Sequence, residues 1–340
     1  MDKPLHMCKV LVTPTSFGKD DPGLKHLLEQ TVGEVVYNPF GRPLKSDELR
    51  PLVLDCDGFI AGLDEIDAPV LEAGKRIKVI ARYGVGVDRV DLVTATRLGI
   101  VVTNTPGANS IAVAELTVAL ILALARRLCQ ANQATHRGEW PRLSGIGLQQ
   151  KIIGLVGFGR IGREVAARLK AFSPQVLVYD PNLAPEEIAK YEVEPVTLEA
   201  LLARADFVSL HAPVLPSTHE MVNAKFLSAM KPGTFLVNTA RGELVDEEAL
   251  FEALQSGRLQ GAALDCFRNE PPDQNHPLLQ LPQVILTPHS GSHTDQAVFQ
   301  MGQMALKDCL AVLSGERPEY VVNPQVYGSR EHEIHGKAES

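Results

Sequence analysis

The chain has 340 residues, of which 45% are hydrophobic and 22% charged, a balance that excludes disorder as its main state. Its length fits two domains, each large enough to bury its own core. With 33 basic against 41 acidic residues the formal charge is −8, which offers no general attraction to nucleic acid or anionic lipid, so an anionic ligand needs a local positive site.

The opening MDKPLHMCKV lacks the apolar core and cleavage site of a secretory signal, and the most apolar stretch, 111–125, contains Glu115. A cytoplasmic protein without a membrane partner is expected. Cys8, Cys56, Cys129, Cys266 and Cys309 are odd in number and form no C-x-x-C pair, so they read as reduced thiols. Apolar runs at 10–12, 35–37, 58–61 and 79–81 predict strands, and the stretches 22–30 and 47–54 predict helices between them. Alternation of this kind builds parallel sheets covered by helices on both faces. The turn-rich TNTPGAN at 103–109 then opens the longest predicted helix, about 110–133, with Ser110 as its N-cap. Past the polar loop 136–150, a second series places strands at 152–156, 176–179, 207–210, 235–238, 262–264 and 284–286. Six strands complete a dinucleotide-binding sheet. A last helix, about 295–314, comes too late for that sheet and is expected to return to the first domain.

Residues 151–162, KIIGLVGFGRIG, set Gly157, Gly159 and Gly162 in G-x-G-x-x-G register between a strand and a helix. Gly157 allows the tight turn, Gly159 lets backbone approach a pyrophosphate, and Gly162 allows close helix packing. The helix N-terminus then offers its N–H groups to negative charge. Asp180, at the end of QVLVYD, is the acid required to accept the adenosine ribose hydroxyls, and its charge repels a 2′-phosphate. The expected cofactor is NAD rather than NADP.

Oxidation of a hydroxy acid by hydride transfer needs a base for the hydroxyl proton, a cation for the carboxylate and oxyanion, and a partner to orient the base. Three segments near strand ends supply candidates: NTARGELVDEEAL (238–250), LDCFRNEPP (264–272) and LTPHSGSHT (286–294). With the glycine loop and RYGVGVDRVD (82–91), they resemble in order the D-isomer-specific 2-hydroxyacid dehydrogenases, nearest the catalytic part of the phosphoglycerate dehydrogenases. The resemblance runs from about residue 9 to 323.

That resemblance implies that Arg241 holds the substrate carboxylate and polarises the C2 oxygen, a task suited to a planar fork of donors. It implies that His289 is the acid/base and that Glu270 pairs with it, fixing its tautomer and favouring the imidazolium. It makes 82–88 a substrate loop, with Arg82, Tyr83, Val85 and Gly86 as contacts and backbone N–H groups around Val85 aimed at a carboxylate, and it places Asn109 near the substrate. Implied cofactor contacts are Arg160 and Ile161 at the pyrophosphate, Ala212 and Pro213 beside adenine and ribose, and Thr239 and Ala240 along the nicotinamide side. Asp265 falls near the carboxamide and Gly291 beside the nicotinamide. His211 reads as structural or adenine-side. The chain departs from the family's small residues after the catalytic histidine, reading H-S-G-S-H with Ser292 and His293; no metal site is expected there, since Gly291 lies between the two histidines and no further ligand sits at zinc spacing.

The expected fold is α/β, two doubly wound parallel-sheet domains with an NAD-binding Rossmann domain inserted in a flavodoxin-like substrate domain. The expected boundaries are 1–103 with 293–325 for the substrate domain, 104–292 for the NAD domain and 326–340 for a polar tail. The expected partner is a small anionic 2-hydroxy or 2-oxo acid, bound between the domains. A homodimer is expected from the Ala- and Leu-rich helix after residue 110, which is apolar on more than one face. The implied activity is phosphoglycerate dehydrogenase-like. Glycerate, hydroxypyruvate or lactate-type acids, phosphite oxidation, and a nucleotide-sensing corepressor-like binding protein are the competing readings, the last because this fold also serves sensing.

Overall fold

Strands buried on both faces must be apolar at every position, and the short runs of the first series meet that demand. In the computed structural model, which describes residues 3–19 and 21–328, they form β1 (Lys9–Val12), β2 (Glu34–Tyr37), β3 (Gly58–Ala61), β4 (Val79–Arg82) and β5 (Val101–Thr103). All pair in parallel in the order β2-β1-β3-β4-β5, the flavodoxin-like winding. Val10, Val12, Ile60, Val79, Ala81 and Val101 face one core, while Leu11, Phe59, Ala61, Ile80 and Val102 face the other. The first core is closed by helices Pro22–Thr31 and Asp295–Leu313, the second by Ser46–Val53 and Ala68–Ala73. The late helix therefore does return to this sheet; its Ala297, Val298, Met301, Ala305, Leu306 and Cys309 recur every three or four residues and are buried.

β5, three residues long, is not among the strands expected from the sequence. Its outer edge is satisfied by the chain after the last helix. Val322 N–H donates to Val102 O at 2.8 Å, and Asn323 receives Val102 N–H at 2.8 Å while donating to Ile100 O at 2.9 Å. Val326 is fully buried beside Tyr327, so the polar tail expected from 326 starts later; 329–340 lies outside the described residues. Residues 104–109 also group with this unit, which runs Met1–Asn109 and His293–Ser340. The division falls after Asn109 rather than after 103 because Thr105 N–H donates to Gly84 O and Ala108 sits in the first core.

The second unit, Ser110–Ser292, carries β6 (Ile152–Val156), β7 (Gln175–Tyr179), β8 (Glu194–Pro195), β9 (Phe207–Leu210), β10 (Thr234–Asn238), β11 (Leu259–Leu264) and β12 (Val284–Leu286). The order is β12-β11-β10-β9-β6-β7-β8, again wholly parallel. The Rossmann sheet is present with one strand more than the six expected. That strand, β8, is two residues at the sheet edge, where a proline is tolerated. Strand order reverses between β6 and β9, and ligands of such sheets bind beyond the strand C-termini at that switch point.

The long helix expected over 110–133 is two, Ser110–Ala125 and Leu128–His136, broken at Arg127 with φ of 50°. No proline or glycine marks the break. Its cause is tertiary: the returning loop donates Ile146 N–H to Ala125 O at 2.8 Å and caps the first helix there. Among the described residues no helix is long and apolar enough to cross a membrane.

Candidate active site

Parallel strands end on one edge, so residues that follow different strands gather there. In the second unit that edge carries the glycine loop after β6, Asp180 after β7, His211 after β9, Arg241 after β10, Asp265 after β11 and His289 after β12.

The glycine loop is shaped by close approaches. Gly157 has φ of 95°, and a Cβ there would lie 2.7 Å from the His211 carbonyl; one on Gly162 would lie 2.6 Å from Gly157 O. Gly159 faces open space, with nothing within 4 Å of the same added atom. It also opens helix Arg160–Leu169, whose first turn has no side-chain cap. Open space over uncapped N–H groups fits a pyrophosphate. Arg160 is exposed and Ile161 half-buried at this turn, and Ala212 N lies against Gly157. Pro213 is exposed beyond it, its carbonyl accepting the Thr218 hydroxyl at 2.6 Å. Asp180 accepts Phe158 N–H at 2.8 Å and Asn182 N–H at 2.9 Å, which sets a carboxylate beside the loop as a ribose acceptor requires. These residues fit NAD.

At the other end of the edge, both Glu270 oxygens lie 2.9 Å from His289 Nδ1, with the side chains 13% and 23% exposed. Nδ1 donates to the carboxylate, which leaves the lone pair on Nε2. Phe267 N–H donates to Glu270 Oε1 at 3.1 Å and steadies it. Arg241 enters the same neighbourhood through backbone contact: a Cβ on Gly242 would fall 2.0 Å from the Phe267 carbonyl carbon, so only glycine lets the arginine turn lie against the glutamate loop. The buried Cys266 thiol feels the charges of Glu270, Arg241 and Asp265 together, and desolvation raises it well above the ordinary thiol range. Arg241 Nη1 donates to Ala240 O at 2.7 Å. The turn itself is built by Asn238, which the sequence reading left unassigned. Its fully buried amide donates to Arg241 O at 2.7 Å and accepts Ala240 N–H at 3.0 Å. A polar residue closing an otherwise apolar strand was the available signal.

Three of the residues expected as contacts are engaged within their own unit. Asp265, expected near the cofactor carboxamide, accepts the Thr287 hydroxyl at 2.5 Å, Ser290 N–H at 2.8 Å, the Ser290 hydroxyl at 3.3 Å and Gly291 N–H at 2.8 Å. It is a clamp on the loop that carries His289. Arg82 is 6% exposed, with Nη1 donating to Ala61 O and Tyr83 O, and Tyr83 donates its hydroxyl to Val298 O at 3.0 Å. Both side chains are turned into the first unit and brace the loop. Val85 is 37% exposed and Gly86 half-buried, and the Val85 carbonyl accepts the Asn104 amide at 2.7 Å. Asn109 Oδ1 is buried without a hydrogen-bond partner. Thr239, 8% exposed, has its hydroxyl 2.8 Å from that of Thr117 on helix Ser110–Ala125; Ala240 is half-buried and Gly291 buried.

A family model described as D-isomer specific 2-hydroxyacid dehydrogenase, NAD binding domain, matches residues 118–291. The chain is 41% identical over 314 residues to a glyoxylate reductase of Thermofilum pendens, covering 90% of this chain and 92% of that one. It is 42% identical over 321 residues to a D-3-phosphoglycerate dehydrogenase of Methanocaldococcus jannaschii, covering 93% of this chain but 60% of the relative, so it spans about three-fifths of that protein. Among solved structures, the NAD-dependent formate dehydrogenase of Staphylococcus aureus in complex with NAD superposes with a TM-score of 0.83 at 29% identity, over 92% of this chain and 98% of that one.

His211 has a structural duty: a ring nitrogen lies 3.0 Å from the Ser209 hydroxyl, and burial pulls its imidazole from 6.5 down to about 4. The folded state keeps it neutral where the unfolded chain takes up a proton. Stability should therefore fall as pH drops from about 6.5 towards about 4, by up to about 3 kcal/mol. His211→Gln should flatten that part of the Tm against pH curve; a variant curve parallel to the wild type would refute the assignment.

Proposed function

This chain belongs to the D-isomer-specific 2-hydroxyacid dehydrogenases and is an NAD-dependent oxidoreductase, and we propose that it interconverts a small D-2-hydroxy acid and its 2-oxo acid with Arg241, Glu270 and His289. The observation that carries the reading is the Glu270–His289 pair, with Nε2 left for substrate, on the strand edge that also carries the glycine loop. When bound, the nicotinamide accepts or returns the hydride. His289 Nε2 takes the hydroxyl proton during oxidation and gives it back to the C2 oxygen during reduction. Glu270 holds the ring in that tautomer and stabilises the imidazolium once the proton has arrived. Arg241 fastens the substrate carboxylate and draws electron density from the C2 oxygen.

Replacing His289 by Asn keeps a polar group of similar reach and removes the titrating nitrogen. The variant should lose 10²- to 10⁴-fold in kcat, on the order expected for general acid–base catalysis, while NADH still binds. Turnover near the wild-type rate would remove His289 from this role.

Within the family we infer a phosphoglycerate-like substrate from the sequence match to the phosphoglycerate dehydrogenases, with glyoxylate the competitor named by the Thermofilum relative. A panel of 3-phosphohydroxypyruvate, hydroxypyruvate, glyoxylate and pyruvate with NADH, and phosphite with NAD, selects among them. Tight NADH binding without turnover on any of these would favour a sensing protein. Asp180→Ala should weaken NAD more than NADP, because the lost carboxylate is an acceptor for one and a repulsion for the other. An unchanged ratio of the two dissociation constants would count against the ribose assignment.

We further propose a homodimer formed through the second unit. Ile111, Leu128, Trp140 and Leu143 there are 52%, 60%, 81% and 37% exposed, apolar groups that a partner copy would cover. Sedimentation equilibrium should give twice the 36.9 kDa chain mass, and a monomer at micromolar concentration would end the idea. Four of the five cysteines are buried free thiols, which suits a reducing cytoplasm.

A further inference from the structure

Glu270 sits on the loop between β11 and the turn Pro277–Gln280, and a loop holds a catalytic carboxylate only as well as it is itself held. A single side chain ties both limbs of that loop. Glu247, the first residue of helix Glu247–Gln255, accepts Arg268 N–H on Oε1 at 2.9 Å and meets His276 Nε2 with Oε2 at 3.1 Å. Arg268 lies two residues before Glu270 and His276 six after it, so one carboxylate spans the segment from both sides. Because a carboxylate only accepts, His276 Nε2 is the donor towards Glu247, while its Nδ1 is buried without a hydrogen-bond partner. The Phe267 ring packs edge-on against His276, with centroids 5.5 Å apart. Phe267 is also the residue whose N–H steadies Glu270 and whose carbonyl carbon lies against Gly242.

The loop thus carries two imidazole–carboxylate pairs of similar burial. Glu270 and His289 are 13% and 23% exposed, Glu247 and His276 18% and 20%. The first pair is aimed at the strand edge. The second points back to the helix that follows the Arg241 turn, and the outlying Arg268 guanidinium binds Glu220 and reaches Val245 O at 3.5 Å.

We propose that Glu247 and His276 are positioning residues, which hold the Glu270 loop against the Arg241 turn and so keep the Glu270 carboxylate on His289 Nδ1. The proposal rests on the catalytic reading of Glu270 and His289 above. A carboxylate displaced by about 1 Å no longer holds the imidazole in line, and displacements of that size cost up to 10²-fold in rate. The glycine loop and Asp180, which follow β6 and β7, share none of these contacts.

The test compares Glu247→Ala, His276→Leu and His276→Gln in the full chain, by steady-state kinetics on the best 2-oxo acid, by NADH titration and by amide hydrogen exchange. Glu247→Ala and His276→Leu should lower kcat about 10-fold or more, leave the NADH dissociation constant and Tm near wild type, and speed exchange at 267–276. His276→Gln supplies an N–H donor in place of Nε2 and should recover most of kcat. A purely structural role would move Tm and NADH binding together with kcat and would not distinguish Gln from Leu by rate alone; that result overturns the proposal. So does wild-type kcat with unchanged loop exchange in Glu247→Ala or, should that variant not fold, in His276→Leu. Should the wild-type chain turn over no acid, the catalytic reading fails. Loop exchange in His276→Leu then still decides the anchoring by itself: faster exchange upholds it, and unchanged exchange overturns it.

Discussion

His289 carries its imidazole on a left-handed backbone, φ 50°, and the placement of the ring against Glu270 depends on the residue being held there. For an L-residue other than glycine that conformation costs roughly 1–2 kcal/mol. Most of the opposing contacts come from Asp265, with the Thr287 carbonyl also accepting His289 N–H at 3.0 Å. Asp265 accepts His289 N–H on its backbone oxygen at 2.8 Å, and its carboxylate takes groups on both flanks, Thr287 before and Ser290 and Gly291 after. Each hydrogen bond to an ionised group contributes on the order of 1.5–3 kcal/mol, so the clamp outweighs the strain. Glu270 then meets a ring whose backbone is already placed, and its two oxygens fix the ring's rotation.

The topology explains why so few contacts suffice. Each group lies within a few residues of a strand end, where the hydrogen-bond ladder fixes the chain direction and the next residues have little freedom. Because β10, β11 and β12 are parallel neighbours, Arg241, Asp265 and His289 arrive on one edge despite a separation of dozens of residues. The loops between need only local fasteners. Gly242 supplies one by letting backbone meet backbone, and Glu247 supplies another by spanning the glutamate loop.

What was legible in the sequence follows from this economy. The glycine loop, Asp180 and the three segments that carry the family resemblance are contiguous strings, and the apolar runs between them announce the sheets. Features decided by distant contacts were not legible. β5 owes its edge partners to Val322 and Asn323, more than 200 residues later. The helix break at Arg127 owes its position to Ile146, and the burial of Val326 to a core assembled from the first residues of the chain. Arg82 and Tyr83 are expected as substrate contacts because the family resemblance makes 82–88 a substrate loop. That Arg82 Nη1 meets the Ala61 and Tyr83 carbonyls and the Tyr83 hydroxyl the Val298 carbonyl is a property of the packed unit alone.

The carboxylates on this edge show why residue type by itself assigns no duty. A carboxylate has about four acceptor positions. Asp265 receives two N–H groups and two hydroxyls, all from the loop that carries His289, and so holds that loop in place. Asp180 receives two backbone N–H groups, and the remaining acceptor positions suit a diol that arrives with a ligand. Glu270 accepts Phe267 N–H and sets both oxygens against an imidazole. How each loop folds back on its strand decides what each carboxylate meets, so side chains of the same chemistry are set against a loop backbone, a glycine turn and an imidazole.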